Sequence, residues 1–400
     1  MKLWEKCGHY LKTTNVDMNL RILQVTGEMN RGGAEVMLMN LYRNISPDTK
    51  FDFLINLRCL NNRFKGDFDD EILELGGSLN YIGSQWRLGP VKYILEFRKV
   101  IAKVGKPDVV HIHLNSKCGI IALAAKVCGV RKIIAHSHAD LKFRGSFLNI
   151  LLSEIELRIQ KVLIRKFATD FWGCSEEANL RLYSKSLVKK RKTLVINNAI
   201  DISKFMRVRN DKINRLRESY GAKSTTLVLG NVGRVVKHKN IKFIVEVLSE
   251  LNKRGVDCLF VYAGRVDDIV YGQAIRRAAE DYGLASQVLS IGDRDDIPEV
   301  MSSFDVFLGP ALLEGFGLVA VEAQAAGIPC LLYKGFPASV DMGLGLVDFL
   351  KDFDVNNWAN LVVESKHKRI TNKEMIFKAI SERGYDVVNN ATWLEELYKI

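Results

Sequence analysis

Residues 227–240 read Leu-Val-Leu-Gly-Asn-Val-Gly-Arg-Val-Val-Lys-His-Lys-Asn, a strand, a turn and the start of a helix in one run. The first six residues are apolar or small with one exception, which is typical of a strand buried on both faces of a parallel sheet. A glycine turn follows, and from Lys239 to Arg254 apolar residues recur three and four positions apart, as in an amphipathic helix. A buried strand that leads through a turn into a helix is the repeating unit of doubly wound α/β domains.

The same alternation runs through the whole chain. In the first half, apolar strand candidates lie at 20–27, 51–57, 79–82, 108–113, 131–138, 169–175 and 194–197, and helical periodicity at 34–44, 91–104, 118–128 and 148–167. In the second half, strand candidates at 227–232, 258–263, 288–291, 306–308 and 330–333 alternate with helices at 239–254, 267–282 and 317–327. These two sets predict two doubly wound domains with their ligand-binding strand ends across one cleft.

The predicted domain boundary is a hinge near 197–205, where a strand ends in Asn-Asn-Ala-Ile-Asp. We place the first domain at 1–198 and the second domain at 199–384. A C-terminal helix is predicted at 385–400, and the sequence does not decide whether it crosses back to pack on the first domain. Met18 is an alternative start to Met1, because the periodic pattern begins only at Leu20.

Composition narrows the class of protein. Of the 400 residues, 48% are hydrophobic and 26% charged, which excludes a disordered chain, and no apolar run approaches the roughly 18–20 residues of a membrane-spanning helix. The first 200 residues carry 32 basic and 19 acidic side chains (+13), and the last 200 carry 26 and 27 (−1). The first half therefore favours an anionic partner: nucleic acid, a membrane surface or a phosphorylated substrate.

Seven cysteines without a C-x-x-C spacing indicate buried thiols in a reducing, cytoplasmic compartment.

Two glycine-containing turns each join a predicted strand to a helix. Gly-Glu-Met-Asn-Arg-Gly-Gly-Ala-Glu over 27–35 places Gly32 and Gly33 where backbone N–H groups at a helix start attract phosphate. The turn at 233–240 adds Arg234, whose guanidinium can donate to two phosphate oxygens at once, and Lys239, which contributes a single positive charge. The alternative for the turn at 27–35 is a tight turn without a ligand, and the alternative for the turn at 233–240 is a solvated basic turn.

Glu-Gly-Phe-Gly-Leu-Val-Ala-Val-Glu-Ala over 314–323 carries two acids eight positions apart. We expect Glu322 about two turns into a helix and roughly 12 Å from Glu314 along its axis. That spacing exceeds the carboxylate separation of a retaining glycosidase, about 5 Å, and suits a long ligand held at two points, such as a sugar nucleotide. Gly315 and Gly317 would leave N–H groups open to the phosphates between them. The alternative is a helix cap with one buried acid.

Histidines form two pairs at a spacing of two, His111-Ile-His113 and His136-Ser-His138. The spacing puts both rings of a pair on one strand face, and both pairs end predicted strands of the first domain. We expect contact with donor or acceptor; structural histidines and a zinc site are the alternatives. Three Asp-x-Asp patterns, at 67–69, 293–295 and 352–354, are short enough to recur by chance, and the first falls in a charged helical segment. We predict no metal site.

Together these motifs resemble family 4 glycosyltransferases. The resemblance spans Leu20 to the C-terminus and rests on Gly-Gly-Ala-Glu after the first strand, Ala-His-Ser-His at a strand end, Gly-Arg-x4-Lys-Asn and Glu-x7-Glu. It implies a GT-B fold, two Rossmann-like domains facing across a cleft, and work in capsule or exopolysaccharide synthesis. Two positions depart from the family pattern: Lys237-His238 replaces an acidic-Gln pair, and Asn198-Ala199 replaces Asn-Gly.

The resemblance also implies a role for each candidate residue. Arg234 and Lys239 would bind the donor diphosphate and stabilise it as the leaving group. Glu314 would contact hydroxyls of the donor sugar, and Glu322 those of the ribose. The other implied contacts are Gly32, the N–H groups of Gly33, Phe316 and Gly317, Arg294 at the nucleotide base, His138 beside the transferred sugar, and, less favoured, His113 and His136.

The implied reaction moves a hexose from a nucleotide-diphosphate sugar to a hydroxyl, with retention at the anomeric carbon and no metal or other cofactor. A basic first domain then fits a lipid-linked acceptor at the inner face of the cytoplasmic membrane. The basic, leucine-rich segment 141–167 would lie on anionic lipid or, alternatively, pack on the sheet. A GT-B epimerase or phosphorylase and a non-catalytic anion-binding protein remain alternatives. Nucleic acid is not expected as a partner, because no reading motif accompanies the basic residues.

Overall fold

A computed structural model describes residues 20–58, 65–138, 146–190 and 192–399 of the chain. Cys7, Cys59, the alternative start Met18 and the basic residues Lys142 and Arg144 lie outside the described residues.

Thirteen described strands build two parallel sheets, in agreement with the sequence-based prediction. The first sheet contains β1 Leu20–Thr26, β2 Thr49–Leu57, β3 Ser78–Gly83, β4 Val109–Ile112, β5 Lys132–Ser137, β6 Asp170–Gly173 and β7 Thr193–Val195. The second contains β8 Leu227–Val232, β9 Cys258–Ala263, β10 Val288–Ser290, β11 Val306–Gly309, β12 Cys330–Tyr333 and β13 Val347–Leu350. β4, β9 and β11 are buried at every position, as expected for strands covered on both faces.

Helices cover both sheets. Those of the first half are α1 Gly33–Asn44, α2 Asp69–Glu74, α3 Gln85–Val104, α4 Cys118–Val127, α5 Phe147–Phe167, α6 Glu176–Leu182 and α7 Lys185–Lys189. The second half has α8 Ile202–Met206, α9 Asn210–Ser219, α10 Lys242–Lys253, α11 Ile269–Asp281, α12 Ile297–Ser302, α13 Leu318–Ala325, α14 Val355–Ser365, α15 Lys373–Glu382 and α16 Val387–Lys399. No helix among the described residues is long and apolar enough to cross a membrane.

Each sheet reverses its strand order at one point. The first sheet runs β3-β2-β1-β4-β5-β6-β7, so its order turns between β1 and β4. The second runs β10-β9-β8-β11-β12-β13 and turns between β8 and β11. At such a point the loops leave the strand ends in opposite directions and open a crevice, which is where doubly wound sheets bind ligands.

The C-terminal helix packs on the first sheet, not on the second. Ile200 and Asp386 form a parallel bridge where the two connecting segments pass each other. Beyond that crossing, α16 lies against α1, and Ala391, Leu394 and Tyr398 are buried in the core cluster that contains β1 and β2 residues. Burial of a side chain such as Leu394 stabilises this contact by about 1.5–3 kcal/mol.

Two local features differ from the sequence-based prediction. β13 is an edge strand that we did not predict, because it is short and only one of its four residues is buried. Asp67 does not lie in a helix: α2 begins at Asp69, and Asp67 precedes it in the connecting loop. Cys118, Cys174, Cys258 and Cys330 are free and buried as predicted, whereas Cys128 is only half-buried.

Candidate active site

Several of the predicted site residues lie at the two crevices where the strand orders reverse. In the second sheet, Arg234 follows β8 and Glu314 follows β11, the two strands that flank the reversal. In the first sheet, Gly32 and Gly33 follow β1, and His113 follows β4, the corresponding pair. Parallel strands present their carboxyl ends at one edge, so the topology explains why motifs far apart in sequence meet.

The β8 turn carries Arg234 and Lys239 through a compact loop. Its backbone approaches the β9 turn so closely that a Cβ on Gly264 would lie 2.0 Å from the carbonyl oxygen of Gly233, and Gly264 has a φ of +141°. Residues 237–239 form one 3₁₀ turn, and Asn240 then takes a left-handed conformation with φ +53° before α10 begins. The loop thereby directs the Lys239 side chain to the β11 loop.

Lys239 and Glu314 form an ion pair between the ammonium and Oε2. Both side chains are mostly buried, at 18% and 15% exposure. The Glu314 N–H donates to the Gly335 carbonyl at 3.0 Å and fixes the loop that carries the carboxylate. Two of the residues singled out for donor binding are therefore partners of each other.

The start of α13 is shaped for close approach of a ligand. Gly317 has φ +85°, and a Cβ there would lie 2.5 Å from the Phe336 ring. The Phe316 ring is buried and stacks on Tyr385 with centroids 5.1 Å apart, so only its backbone is available to a ligand. No side chain caps the helix, which leaves the first N–H groups and the positive end of the helix dipole open.

Glu322 lies closer to the helix start than expected. Because α13 begins at Leu318, Glu322 is the fifth helical residue, little more than one turn in, and the expected two turns are wrong. The helix is short since Gly315 and Gly317 hold the preceding residues in a loop. Burial raises the pKa of the Glu322 carboxyl to about 7.

Arg234 is half exposed and shares a carboxylate with a neighbouring arginine. Its Nη1 lies 3.1 Å from Asp267 Oδ2, and Arg265 Nε donates to the other oxygen of Asp267 at 2.7 Å. The guanidinium also faces Glu35 of the first domain. Burial raises the pKa of the Glu35 carboxyl, and the positive charge of Arg234 partly offsets this rise.

Glu35 folds back over the start of α1. A Cβ on Gly32 would lie 2.3 Å from Glu35 Oε2, whereas a Cβ on Gly33 would meet nothing within 4 Å. A carboxylate thus occupies the positive end of the helix, and open space lies over Gly33. Gly32, Glu35 and Arg234 line one cleft of about 760 Å³, together with Asn56, Gln85 and Lys117.

Ion pairs join the two domains along the rim of this cleft. Arg31, from the loop before α1, pairs with Asp295 and lies 3.7 Å from Asp293. Asp67 accepts from the Arg31 N–H at 2.9 Å and from Arg265 at 3.3 Å. We call Arg31, Asp67, Arg265, Asp293 and Asp295 the rim cluster. Sequence reasoning treated both Asp-x-Asp patterns as incidental, and no local signal pairs them with arginines of the other domain.

Arg294 is bound by a carboxylate of its own loop. Its Nε and Nη2 contact the two oxygens of Asp296 at 2.7 and 2.5 Å, and its backbone carbonyl accepts from Arg31 at 3.2 Å. The β10–α12 loop is therefore held both internally and by the first domain.

The four predicted histidines form one cluster under α16. His111, His113 and His136 are buried, and burial lowers the pKa of each well below its usual range. His138 is partly buried at the strand end, and burial lowers its pKa to about 4. All four rings are consequently neutral at pH 7.

Gln24 and Tyr398 complete the cluster. His111 Nδ1 lies 2.7 Å from Tyr398 Oη, and His113 Nε2 lies 2.8 Å from Gln24 Oε1. Ring nitrogens of His111, His113 and His136 come within 4.8 Å of one another, the spacing of a candidate metal site, and the prediction of no metal remains a prediction. Sequence reasoning missed Gln24, whose only signal is a polar residue between the apolar residues Leu23 and Val25 of β1.

The chain resembles known glycosyltransferases over nearly its whole length. Residues 212–347 match the family model of glycosyl transferases group 1. The putative glycosyltransferase EpsF of Bacillus subtilis is 33% identical over 95% of this chain and 96% of its own. The UDP-Gal:alpha-D-GlcNAc-diphosphoundecaprenol alpha-1,3-galactosyltransferase of Escherichia coli is 26% identical over 88% of this chain and 90% of its own.

The two-sheet architecture also matches a solved structure. HepE of Anabaena, in complex with UDP, superimposes with a TM-score of 0.75 at 20% identity and covers 95% of this chain and 100% of its own. At that identity the likeness shows the fold alone, the predicted GT-B arrangement.

Proposed function

The chain belongs to the glycosyl transferases group 1, and from this premise we propose that it moves a hexose from a nucleotide-diphosphate sugar to a lipid-linked acceptor, with retention at the anomeric carbon. Uridine is the donor base to test first, since HepE was solved with UDP and the E. coli relative is named for UDP-Gal. The acceptor class follows the same relative, whose name gives a sugar diphosphoundecaprenol.

The observation that carries this proposal is the cationic clamp between the domains. Arg234 and Lys239 come from one loop, and the uncapped start of α13 lies beside Lys239 because that residue pairs with Glu314. The start of α1 faces Arg234 across the cleft. Two cations and the start of α13 supply positive charge where a diphosphate leaving group develops negative charge. At the start of α1 the Glu35 carboxylate offsets the helix dipole, and the open space over Gly33 is what that helix contributes.

The chemistry assigned to this clamp is a same-face substitution. The acceptor hydroxyl oxygen bonds to the anomeric carbon as the bond from that carbon to the phosphate oxygen breaks. The hydroxyl proton passes to the departing phosphate oxygen, so no protein base is required. The clamp stabilises the charge on the leaving diphosphate, and the Glu314 carboxylate orients the sugar through its hydroxyls.

The proposed acceptor surface is an apolar stripe on α5. Leu148, Leu152, Ile155, Ile159 and Val162 are all exposed and recur at helical spacing. Exposed Arg158, Arg165 and Lys166 lie on the same helix, and Trp86, at 90% exposure, stands at the start of the neighbouring α3. A hydrophobic stripe flanked by cations fits an anionic bilayer surface, which would bring a lipid-linked acceptor to the cleft from the inner face of the cytoplasmic membrane.

Sugar transfer tests the proposal directly. Purified protein, a panel of nucleotide sugars and a polyprenyl diphosphate sugar would be incubated, and the anomeric configuration of the product read by NMR. We expect an α-linked product from an α-linked donor. Arg234→Ala should lower kcat more than it weakens donor binding, since leaving-group charge peaks in the transition state. Arg215→Ala, on exposed α9, is the matched control. Epimerisation of the donor sugar at equal rates with and without acceptor would instead identify an epimerase, and transfer of the sugar to added inorganic phosphate would identify a phosphorylase.

Vesicle binding tests the acceptor surface separately. The double variant Leu152→Glu, Ile159→Glu should bind vesicles of phosphatidylglycerol and phosphatidylcholine less than the wild type does. Val270→Glu changes an equally exposed apolar residue on α11 of the second domain and should leave binding unchanged. Equal loss in both variants would contradict the α5 assignment.

A further inference from the structure

The histidine cluster is a chain of pairwise hydrogen bonds with two branches. In one branch, Tyr398 Oη lies 2.7 Å from His111 Nδ1, and His111 Nε2 lies 3.0 Å from His136 Nδ1. In the other, Gln24 Oε1 lies 2.8 Å from His113 Nε2, and His113 Nδ1 lies 2.8 Å from His138 Nε2. The branches meet at Gln24, whose Nε2 donates to Tyr398 Oη at 3.4 Å.

Each neutral imidazole has one N–H and one lone pair, so each bond in a branch fixes the next. In the amide orientation that the structure gives, Gln24 Oε1 faces His113 Nε2, and because a carbonyl oxygen only accepts, this orientation places the proton of His113 on Nε2. His113 Nδ1 is then a lone pair, and His138 must donate to it from Nε2. The remaining nitrogen of His138, Nδ1, carries no proton.

The second branch has a matching direction. Because Tyr398 Oη accepts from the Gln24 amide, its own hydrogen is free to donate to His111 Nδ1. His111 then donates from Nε2 to His136 Nδ1. Among the described residues, His136 Nε2 and His138 Nδ1 are buried and have no partner, so the two branches end in one unused donor and one unused acceptor.

The backbone of His138 is fixed as well. Its N–H donates to Asn115 Oδ1 at 2.6 Å, and Asn115 holds a left-handed conformation with φ +49° in the turn after β4. A non-glycine residue in this conformation is uncommon and persists where surrounding contacts require it. Two residues that follow β4 thus hold His138: His113 contacts its ring, and Asn115 accepts from its backbone N–H.

We propose that Gln24 is a positioning residue that, through His113, locks His138 as a neutral ring whose only N–H is committed to the protein. This inference rests on the proposed transferase reaction and adds a constraint to it: His138 cannot deliver a proton to the leaving diphosphate. Its contribution is a fixed ring and a lone pair at the strand end. The proton released by the acceptor hydroxyl then has the phosphate oxygen as its destination.

The amide orientation is what sets this direction. If Gln24 were rotated by 180° about its terminal bond, its Nε2 would donate to His113, and every bond in both branches would reverse. His138 would then carry its proton on Nδ1 and be a potential acid. The two arrangements differ in a measurable quantity, the tautomer of each ring.

The tautomers can be measured without substrate. Protein labelled with ¹⁵N-histidine would be examined by long-range ¹H–¹⁵N correlation at pH 7, with the seven histidines assigned by single substitution. We expect His113 and His138 to be neutral and protonated on Nε2. An Nδ1 proton on His138, or ring shifts and elemental analysis that reveal a bound metal, would overturn the proposal.

Kinetics of Gln24 variants then test the link to transfer. Gln24→Leu should release His113, mix the tautomers of His138 and lower kcat about tenfold with donor KM within twofold. We expect the kcat profile of Gln24→Leu to contain an ionisation that the wild-type profile lacks. Gln24→Glu keeps an acceptor for His113 and should retain the Nε2 proton and most of kcat.

Gln160→Leu is the matched control, because Gln160 is an equally buried glutamine between α4 and α5, away from the histidines. It should lower the melting temperature without changing the shape of the pH profile. A Gln24→Leu protein that keeps the wild-type tautomers and kcat would refute the proposal. The predicted tautomers in a protein that transfers no sugar from any donor would refute the proposed function alone.

Discussion

Lys239 and Glu314 form an ion pair, although they stand 75 positions apart on different loops. The pair joins the residue proposed to bind the donor diphosphate to the residue proposed to bind its sugar. A donor that takes up both contacts must replace this bond, so the two halves of donor recognition are coupled.

This coupling predicts that Glu314→Gln separates diphosphate binding from transfer. Without the carboxylate charge, Lys239 is free for phosphate, and UDP should bind about three- to tenfold more tightly, roughly 0.7–1.4 kcal/mol. Sugar transfer should fall by about 10²-fold, because the charge-assisted contact to the sugar hydroxyls is lost. Calorimetric titration and initial rates give both quantities. Glu299→Gln, which breaks the Lys212 pair outside the cleft, should change neither.

The raised pKa of Glu322 predicts that the folding stability of the protein depends on pH. The folded pKa of Glu322, about 7, exceeds the ordinary value of 4.5, so the folded state holds the proton more tightly than the unfolded state. Stability from this group is therefore complete below pH 4.5 and lost as pH rises to 7. Glu322→Gln should match the wild type at pH 4 and be more stable by about 1–3 kcal/mol at pH 8 in denaturant unfolding. A pH-independent difference would contradict the raised pKa.

The same variant tests the ribose contact. A carboxylate that accepts from ribose hydroxyls makes bonds worth roughly 1.5–3 kcal/mol, so Glu322→Gln should weaken UDP binding at pH 8. Unchanged UDP affinity, measured by calorimetry at that pH, would remove Glu322 from the donor site.

The clamp predicts transfer that persists in excess EDTA. Arg234, Lys239 and the start of α13 supply the positive charge that a divalent ion supplies elsewhere. The assay is sugar transfer to a lipid-linked acceptor with and without chelator, after the protein has been dialysed against EDTA. Activity that is lost and then restored by added magnesium, manganese or zinc would show that the electrostatic argument is wrong.

The rim cluster predicts that Arg31 favours the closed cleft. Arg31→Ala removes contacts to Asp293 and Asp295, each worth about 0.2–1 kcal/mol at this exposure. Small-angle scattering without donor should give a larger radius of gyration at low salt, and donor binding should weaken about two- to fivefold. Arg209→Ala removes a pair within one loop and helix and should leave the scattering unchanged. Identical scattering from all three proteins would exclude the interdomain role.

Strands were predictable because burial on both faces leaves a continuous local signature. Leu227–Val232, Cys258–Ala263 and Cys330–Tyr333 begin and end where the sequence predicts. The glycine turns were equally local: the left-handed backbone at Gly317 and the close approach at Gly264 are conformations that a Cβ would obstruct. The sequence did not predict β13, because a short, half-exposed edge strand lacks that signature.

The sequence by itself determined the two doubly wound domains, their order and the residue types at the ends of their strands, because all of these follow from periodicity and turn chemistry within a few residues. Only the tertiary structure decided the partners. It paired Lys239 with Glu314, drew Asp67 to arginines of both domains, and brought Tyr398 from the last helix to His111. The physical reason is that charge and hydrogen-bond pairing depend on distances across the packed molecule, which the spacing of residues along the chain does not encode.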